Sequence, residues 1–303
     1  MELRHLRYFI AVADAQNFTK AAQALFISQP PLSRQIKQLE DELGVVLFKR
    51  EQRPLQLTEA GHFFYAHAQQ ILAKMNELKT MTQRVGHTER TLTIGYVAST
   101  LYGMLPKIIH EYRQRYPHIA LSLQEMHTLD QLSALKAGSI DVGFGRIRLQ
   151  DPNVRRIVLR EETLMLAVPC AHRLCQHPNI TLWDLLDEKL ILYPKAPRPS
   201  LADQVLASFH EAGLQPTNVL EVRELQIAIG LVAAGEGVAI VPTSLKGMGR
   251  ADLTFLPLSD AQATSPIIMS VRMQEYSEDL IAMLSLIYGL YDQNQIAYIR
   301  QSL

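Results

Sequence analysis

The sequence predicts a mixed α/β protein built from an N-terminal winged helix-turn-helix, one long helix and a large α/β domain. Three observations lead to this prediction. Apolar residues recur at helical spacing on both sides of a short turn in residues 18–43, and residues 59–86 contain no proline and repeat every seven positions. From residue 91 onward, short apolar runs alternate with helical patterns. A chain of 303 residues is long enough for two or three domains with separate cores.

Residues 18–43 are predicted to form two helices joined by a turn at 26–29. Thr19 is a suitable N-cap for the first helix, because its hydroxyl can accept a hydrogen bond from a free backbone N–H group. Two prolines begin the second helix, where they are tolerated because first-turn N–H groups have no partner within the helix. The apolar residues of this helix should form one buried stripe: Leu32, Ile36, Leu39 and Leu43. The opposite face carries side chains that can reach base edges and phosphates: Gln29, Ser33, Arg34 and Lys37.

A short basic hairpin is predicted directly after this helix. Gly44 ends the helix, and two apolar segments at 45–48 and 55–58 flank a stretch that contains Arg50 and Arg53. The helix pair alone could be an ordinary amphipathic pair with a solvated polar face. With the basic wing beside it, the pattern indicates a DNA-binding domain.

The charge distribution limits how such a domain binds DNA. The chain has 30 Lys and Arg and 30 Asp and Glu, of which residues 1–90 hold 12 and 9, so this part carries +3 and the rest −3. A small positive balance predicts binding through a few well-placed charges and through more than one DNA-binding unit per complex.

One long helix is predicted from residue 59 to about residue 86, interrupted only by Gly61 in its first turn. Its seam has a period of seven: Phe64, Ile71, Leu78 and Val85, with Ala68, Met75 and Thr82 between them. A helix of about 27 residues is about 40 Å long, too long to bury this seam against a small winged domain. The seam could pack on the next domain, but a dimer through paired linker helices is preferred, which predicts a roughly palindromic DNA site.

After a polar hinge at 86–90, strands and helices alternate to the end of the chain. Strands are predicted at 91–97, 119–124, 140–144, 163–168, 190–193, 219–222, 238–241 and 267–272. Helices are predicted at 105–116, 129–137, 201–212, 225–234 and 278–291. Alternating strand–helix units predict parallel sheets with helices on both faces.

Polar residues gather where three of these strands end, and ligands of open α/β sheets bind beyond the carboxyl ends of strands. Ser99 and Thr100 follow the first strand and Thr128 the second, each ahead of a helix, while Phe144 and Arg146 end the third. Helix N-termini favour anions, and a guanidinium fits a carboxylate. These residues therefore predict an anion site. N-capping by the hydroxyl residues and a salt bridge from the arginine are the alternatives.

The remaining motifs do not support an enzyme or a metal protein. Four potential metal ligands lie close together without the spacing of zinc sites, so a surface loop is expected: Cys170, His172, Cys175 and His177. The Gly-x-Gly pairs at 143–145 and 235–237 lack the third glycine of a dinucleotide site. The sequence contains no GxSxG or HExxH motif and no phosphate-binding glycine loop with lysine.

Composition predicts a soluble, cytoplasmic protein without a membrane segment. Hydrophobic residues make up 48% and charged residues 20% of the chain. No apolar run approaches the ~18–20 residues of a membrane span, and the N-terminus lacks the apolar core of a signal peptide. The two cysteines argue against a disulfide framework and suit a reducing compartment.

The first 60 residues resemble the winged helix-turn-helix of LysR-type transcriptional regulators. The resemblance rests on LRHLRYFIAV (3–12), FTKAA (18–22), SQPPLSRQI (28–36), LEDELGVVLFKR (39–50) and LTEAG (57–61), and the rest of the chain also fits the family. It implies that double-stranded promoter DNA contacts seven residues: Gln29, Pro30, Pro31, Ser33, Arg34, Lys37 and Arg53. Residues 1–58 would be the DNA-binding domain, 59–90 the linker helix and hinge, and 91–303 the effector-binding domain.

The resemblance also implies that this last domain is two-lobed and periplasmic-binding-protein-like. The chain would cross between lobes near Glu161–Glu162 and Ser265–Pro266, so that lobe I comprises 91–161 and 267–303 and lobe II comprises 162–266. It further implies a homotetramer, a dimer of dimers, that contacts RNA polymerase when it activates transcription. No cofactor is expected besides a small-molecule effector.

Further segments resemble the BenM/CatM-type subgroup, which regulates benzoate and catechol degradation and responds to cis,cis-muconate. They include IGYVAST (94–100), LYGMLP (101–106), ALKAGSIDVGFGR (134–146) and LYP (192–194). The subgroup binds its effector at positions that match Ser99, Thr128, Arg146, Pro199, Ser200 and Leu201. Leu201 replaces an aromatic residue of the subgroup, which would leave room for a larger or chlorinated diacid such as chloromuconate. A second aromatic-acid site would use Arg160, for which pairing with Glu162 is the alternative.

Overall fold

The chain folds into two units, Met1–Gly86 and His87–Leu303. The computed structural model describes residues 1–50, 52, 54–86, 90–177, 179–259, 264–273 and 277–303. Arg53 and hinge residues 87–89 therefore lie outside the described residues. No helix among the described residues is long and apolar enough to cross a membrane.

The N-terminal unit contains three short helices, a two-stranded wing and one long helix. Their bounds are α1 Leu3–Ala15, α2 Phe18–Ala24, α3 Gln29–Leu43, β1 Phe48–Lys49, β2 Gln56–Leu57 and α4 Glu59–Gly86. The wing strands are antiparallel, with Phe48 opposite Leu57. The core forms around Phe9, whose ring centroid lies 5.1 Å from that of Phe48 and 5.0 Å from that of Phe64 on α4. The winged helix-turn-helix prediction is confirmed.

Helix α3, the second helix of the helix-turn-helix, follows the sequence pattern closely except at its end. Ser28 is the N-cap of α3, proline stands in the first turn, and Gly44 ends the helix with a φ of +69°. Leu32 and Ile36 are fully buried, as is Leu39. Leu43, expected in the same stripe, is 37% exposed because it lies in the last turn of the helix.

The N-cap of α2 is Asn17, so the prediction of Thr19 is wrong. The Asn17 side-chain oxygen accepts hydrogen bonds from the backbone N–H groups of Thr19 and Lys20, at 2.8 and 3.0 Å. The helix begins at Phe18, so Thr19 lies inside the first turn. Its hydroxyl instead donates to the Gln29 side chain at the start of α3, at 3.2 Å.

The heptad seam of α4 is packed in its first part and exposed farther along. Phe64 packs against the core of the N-terminal unit, and Ala68 is buried. Farther along, Ile71 is 45% and Leu78 68% exposed. The side chain of Val85 lies outside the part of the chain that the structure describes.

The second unit is a set of twisted sheets with helices packed on them. Its strands are β3 Arg90–Tyr96, β4 Ile119–Glu125, β5 Val142–Gly145, β6 Val154–Pro169, β7 Leu190–Leu192, β8 Val219–Glu221, β9 Ala239–Pro242, β10 Leu253–Pro257 and β11 Thr264–Arg272. Its helices are α5 Leu105–Arg115, α6 Thr128–Lys136, α7 Leu201–Glu211, α8 Leu225–Ala233 and α9 Glu278–Gln293. Seven strands form one path in the order β10-β6-β11-β5-β3-β4, with β9 beside β6.

Two long antiparallel strands run through the middle of this path, so the expectation of parallel sheets is only partly correct. β3 pairs in parallel with β4 and β5, and β7 with β8, but β6 pairs antiparallel with β9, β10 and β11. The strand predicted at 163–168 is part of a longer strand, β6, which begins at Val154. The sequence pattern also missed β10, because its apolar run is short.

Hydrophobic residues of the second unit form two large clusters at the two ends of β6. One large cluster contains residues between 164 and 253, and the other contains residues of 92–159 and 267–291. In the β6–β11 register Glu161 lies opposite Pro266 and Glu162 opposite Ser265. Below, lobe I is the part that contains the cluster of 92–159 and 267–291, and lobe II is the part that contains the cluster between 164 and 253.

The wing is held to α3 by one buried carboxylate, Glu40, which is 7% exposed. It accepts hydrogen bonds from the backbone N–H groups of Leu47 and Phe48 and forms an ion pair of 2.6 Å with Arg50. Arg50 also lies over the Phe18 ring. Arg50 therefore helps to fix the wing.

Glu40→Ala is expected to destabilise the N-terminal unit by about 2–4 kcal/mol, because it leaves two buried N–H groups without an acceptor. Differential scanning calorimetry of the full chain would measure the effect. Glu42→Ala is the control, since Glu42 is exposed and forms an ion pair with the N-terminal amine at the surface. Equal stability of the two variants would contradict the role given to Glu40.

Candidate functional site

The surface predicted to face DNA is the polar side of α3. Gln29 and Pro30 in its first turn are exposed, and so are Arg34 and Lys37, whereas Pro31 and Ser33 are half-buried. Because Leu32 and Ile36 are fully buried on the other side, the helix can present this face only outward.

A cavity of about 360 Å³ lies in the second unit at the edge where the strands of lobe I end. Lobe I lines it with the segments after β3, before α6 and after β5. Lobe II contributes the loop before α7 and the residues before α8. The predicted anion-site residues found in its lining are Ser99, Thr128, Arg146, Pro199, Ser200 and Leu201.

Two of the predicted residues are not brought to this cavity. The Thr100 hydroxyl donates to the carbonyl oxygen of Val97 at 2.7 Å, closing the short turn in which it lies. Phe144 is 1% exposed, and its ring packs in the core of lobe I. Phe144 shares its face of β5 with Val142, which packs in the same core, because residues two positions apart in a strand lie on one face.

Arg146 is the most constrained group of the cavity, and it is 3% exposed. Its Nε donates to the Ser99 hydroxyl at 2.8 Å, and its Nη2 forms an ion pair with Glu162 at 2.7 Å. The salt bridge expected as the alternative is therefore present. Arg146 Nη1 is buried and has no hydrogen-bond partner within the described residues. The Ser99 hydroxyl accepts from Arg146, so its own proton remains available to a ligand.

One carboxylate, Glu162, pairs with two arginines at the same place, Arg146 and Arg160. Burial raises the pKa of Glu162, but the charges of Arg146 and Arg160 and hydrogen bonds from Arg146 and Ser244 outweigh burial and hold that pKa below 4.5. Arg160 Nη2 lies 3.7 Å from Glu162, which is the pairing expected as the alternative to a second site. Arg160 also hydrogen-bonds to the Tyr291 hydroxyl.

Thr128 stands at the start of α6, close against the end of β5. Its hydroxyl accepts a hydrogen bond of 3.4 Å from the backbone N–H group of Arg146. A Cβ atom on Gly145 would lie 2.8 Å from the Thr128 hydroxyl oxygen, so only glycine permits this approach. Gly143 has the same role toward the Gln131 side chain, at 2.6 Å. The Gly-x-Gly pair thus brings the helix N-terminus to the cavity.

The lobe II loop is fixed by a capping box and an arginine. The backbone N–H group of Ser200 donates to Asp203 at 2.6 Å, and the Ser200 hydroxyl donates to the carbonyl oxygen of Pro194 at 2.9 Å. Arg198 forms an ion pair of 2.6 Å with Asp203 and a further one with Glu221.

Two functional candidates were missed from the sequence. Tyr193, which directly follows β7, lines the cavity, and the rule of strand ends would have identified it. Gln204 on α7 donates to the carbonyl oxygen of Arg146 at 3.2 Å and accepts from the Ser265 hydroxyl at 3.1 Å. Its amide therefore joins lobe II to lobe I and to the crossing strand β11. Such a link depends on tertiary structure and leaves no sequence signal.

The cysteine and histidine segment has ordinary local contacts. Cys170 Sγ donates to the carbonyl oxygen of Ala251 at 3.0 Å, and His172 is the N-cap of a short 3₁₀ helix. The described residues contain no group of His, Cys, Asp or Glu that could hold a metal ion.

Comparisons with known proteins match both units. The bacterial regulatory helix-turn-helix protein, lysR family, matches residues 3–62, and the LysR substrate binding domain matches residues 86–284. The HTH-type transcriptional regulator BenM of Acinetobacter baylyi (strain ATCC 33305 / BD413 / ADP1) is 47% identical over 293 residues, 96% of each chain. The chain belongs to the LysR family of transcriptional regulators.

Two solved structures of relatives bear on the two units. The BenM effector binding domain with its effector benzoate has a TM-score of 0.68 and 42% identity and covers 72% of this chain and 99% of that chain. Full-length CbnR complexed with its target DNA has a TM-score of 0.63 and 32% identity and covers 95% and 99%. The protein is therefore a DNA-binding transcriptional regulator and not an enzyme. Its LysR-type domain binds a small-molecule effector.

Glu162→Gln is expected to lower the free energy of unfolding at neutral pH and to make that free energy depend less on pH. The folded-state pKa of Glu162 is depressed, so its contribution is present above pH 4.5 and is lost as pH falls through the folded value. Thermal unfolding of the full chain from pH 7 to pH 3 would measure this. Glu161→Gln is the matched control, because Glu161 is exposed and pairs at the surface with Arg148. Parallel pH profiles for Glu162→Gln and the wild type would refute the prediction.

Proposed function

We propose that this regulator is a cytoplasmic activator of genes for benzoate and catechol degradation and that its effector is cis,cis-muconate. The observation that carries the proposal is the cavity, which has hydroxyl groups and an arginine on its lobe I side and a helix N-terminus on its lobe II side. A flat apolar diacid suits two polar ends separated by apolar walls. The likeness to BenM supports the same class of effector.

The proposed complex is a dimer of dimers. Pairing of two α4 helices supports the dimer, because Ile71 and Leu78 are apolar, spaced by seven and exposed. Each dimer presents two α3 helices to double-stranded promoter DNA, and the proposed contacts are Gln29, Pro30, Pro31, Ser33, Arg34, Lys37 and Arg53. Contact with RNA polymerase during activation is part of the proposal. The proposed domains are 1–58, 59–90 and 91–303.

A related carboxylate, such as chloromuconate, is the second candidate effector. Leu201 is 5% exposed and lines the cavity at the start of α7. A leucine at this position occupies less of the cavity than an aromatic side chain, which favours a larger diacid. A second aromatic-acid site at Arg160 stays a prediction. Its pairing with Glu162 favours the structural alternative.

The proposed response couples the cavity to the crossing strands. Gln204 hydrogen-bonds to Arg146 and to Ser265 on β11, and Arg146 forms an ion pair with Glu162 on β6. A ligand that draws the lobes together therefore acts on both crossing strands, β6 and β11. The effector must bind one arrangement of the lobes more tightly than the other, because equal affinity shifts no population.

Arg34→Ala is expected to weaken binding to promoter DNA by about 1–3 kcal/mol, since Arg34 is an exposed cation on the DNA-facing side of α3. Lys37→Ala should reduce the salt dependence of binding by about one unit of slope. Fluorescence anisotropy with a labelled promoter duplex would measure both. The control is Lys246→Ala, which removes an exposed cation from lobe II. Wild-type affinity in Arg34→Ala would rule out the assigned role of Arg34.

Ser99→Ala is expected to weaken cis,cis-muconate binding by roughly 1.5–3 kcal/mol, the contribution of a hydrogen bond to a charged group. Arg146→Ala should abolish the effector response while DNA binding survives. Isothermal titration calorimetry of the full chain with cis,cis-muconate, chloromuconate and benzoate is the measurement. Ser133→Ala, an exposed serine of α6, is the control. The absence of heat with all three acids in the wild type would end the aromatic-catabolism proposal and leave the family unchanged.

A further inference from the structure

One buried hydroxyl beside the cavity has no hydrogen-bond partner among the described residues. Tyr193 follows β7, lines the cavity and is 5% exposed. Its hydroxyl oxygen is buried and makes no hydrogen bond within the part of the chain that the structure describes. Most buried hydroxyl groups in folded proteins are hydrogen-bonded, because an unpartnered one costs free energy. An orphaned group in a ligand cavity therefore calls for a partner that arrives with the ligand.

The surroundings of Tyr193 determine which partner that is. Burial raises the pKa of Tyr193, and Arg146 and Glu162 lie near enough to act on it in opposite directions. The phenol therefore stays protonated at neutral pH and has a proton to donate. Arg146 Nη1 is a second buried donor without a hydrogen-bond partner, although Nε and Nη2 are engaged by Ser99 and Glu162.

Two unused donors beside one cavity match a ligand that accepts hydrogen bonds and carries negative charge. We propose that Tyr193 binds the effector by donating its hydroxyl proton to a carboxylate oxygen, next to the Arg146 guanidinium. This inference rests on the proposed carboxylate effector and adds a specificity residue from lobe II. A hydrogen bond from a hydroxyl to a carboxylate is short and stronger than one between neutral groups.

This assignment adds a buried donor to the lobe II side of the cavity, whose lining also includes the exposed charged residues Arg223 and Glu224. Pro199 and Leu201 line the cavity with apolar atoms, and the Ser200 hydroxyl is already used by the carbonyl oxygen of Pro194. Tyr193 thus supplies a side-chain hydroxyl from lobe II in addition to the hydroxyls of lobe I. A carboxylate held by Ser99 on one side and Tyr193 on the other would bridge the lobes.

The alternative partner is an interior water molecule, and the two cases predict different results for Tyr193→Phe. If the Tyr193 hydroxyl bonds only to the effector, it is unpaired in the unliganded protein. Removing the hydroxyl should then leave the melting temperature unchanged or raise it by up to roughly 4 °C. A hydroxyl held by structural water would lose that bond, and the melting temperature would fall.

The test is calorimetric titration of full-length wild type and Tyr193→Phe with cis,cis-muconate, chloromuconate and benzoate, together with the melting temperature of the unliganded proteins. Tyr112→Phe is the matched control, because the Tyr112 hydroxyl donates to the carbonyl oxygen of Asp279 within lobe I. We expect a roughly 10- to 100-fold rise of Kd in Tyr193→Phe without loss of thermal stability. Tyr112→Phe should keep the wild-type Kd and melt at a lower temperature.

Three results would overturn the inference. Wild-type affinity in Tyr193→Phe would show that the hydroxyl does not contact the ligand and would leave the proposed function intact. A weaker affinity accompanied by a lower melting temperature would assign the hydroxyl a structural role. Failure of the wild type to bind any of the three acids would refute the inference together with the proposed effector class.

Discussion

The buried ion pair between Arg146 and Glu162 is the interaction on which the effector domain depends. Both side chains are 3% exposed, and buried charges persist only when they are paired and hydrogen-bonded. Arg146 lies beyond the end of β5 in lobe I, and Glu162 lies on the crossing strand β6. The pair therefore connects the cavity wall to the strands that join the lobes, and Ser99 and Gln204 bind to the same arginine. A ligand that competes for these groups acts on the domain's central contact.

Local sequence patterns predicted much of the fold because each pattern reflects a local constraint. The spacing of Leu32 and Ile36 predicted the buried face of α3, and Gly44 predicted its end, where the backbone has a positive φ. The rule that ligands bind at strand ends predicted that Ser99 and Thr128 lie at one cavity, and both residues line it. These features require only that the residues near each position adopt their preferred conformations.

The features that the sequence did not predict depend on contacts between distant residues. Asn17 caps α2 because the helix begins two residues earlier than expected, a boundary that periodicity does not define. The continuous strand β6 requires β11 beside it along its length, and neither segment alone indicates that pairing. Phe144 was placed at the cavity by its position at a strand end, although its ring packs inside lobe I. The orphaned hydroxyl of Tyr193 became visible only with its neighbours in place.

In the proposed mechanism, a carboxylate binds between the lobes and changes how the winged domains hold DNA. The most direct measurement is the bend angle of a promoter duplex bound by the full-length protein, followed by fluorescence resonance energy transfer during titration with cis,cis-muconate. A bend that changes with the same midpoint as the calorimetric binding curve, and stays constant in Ser99→Ala, is the predicted result. A bend that stays constant while cis,cis-muconate saturates the cavity would contradict the account.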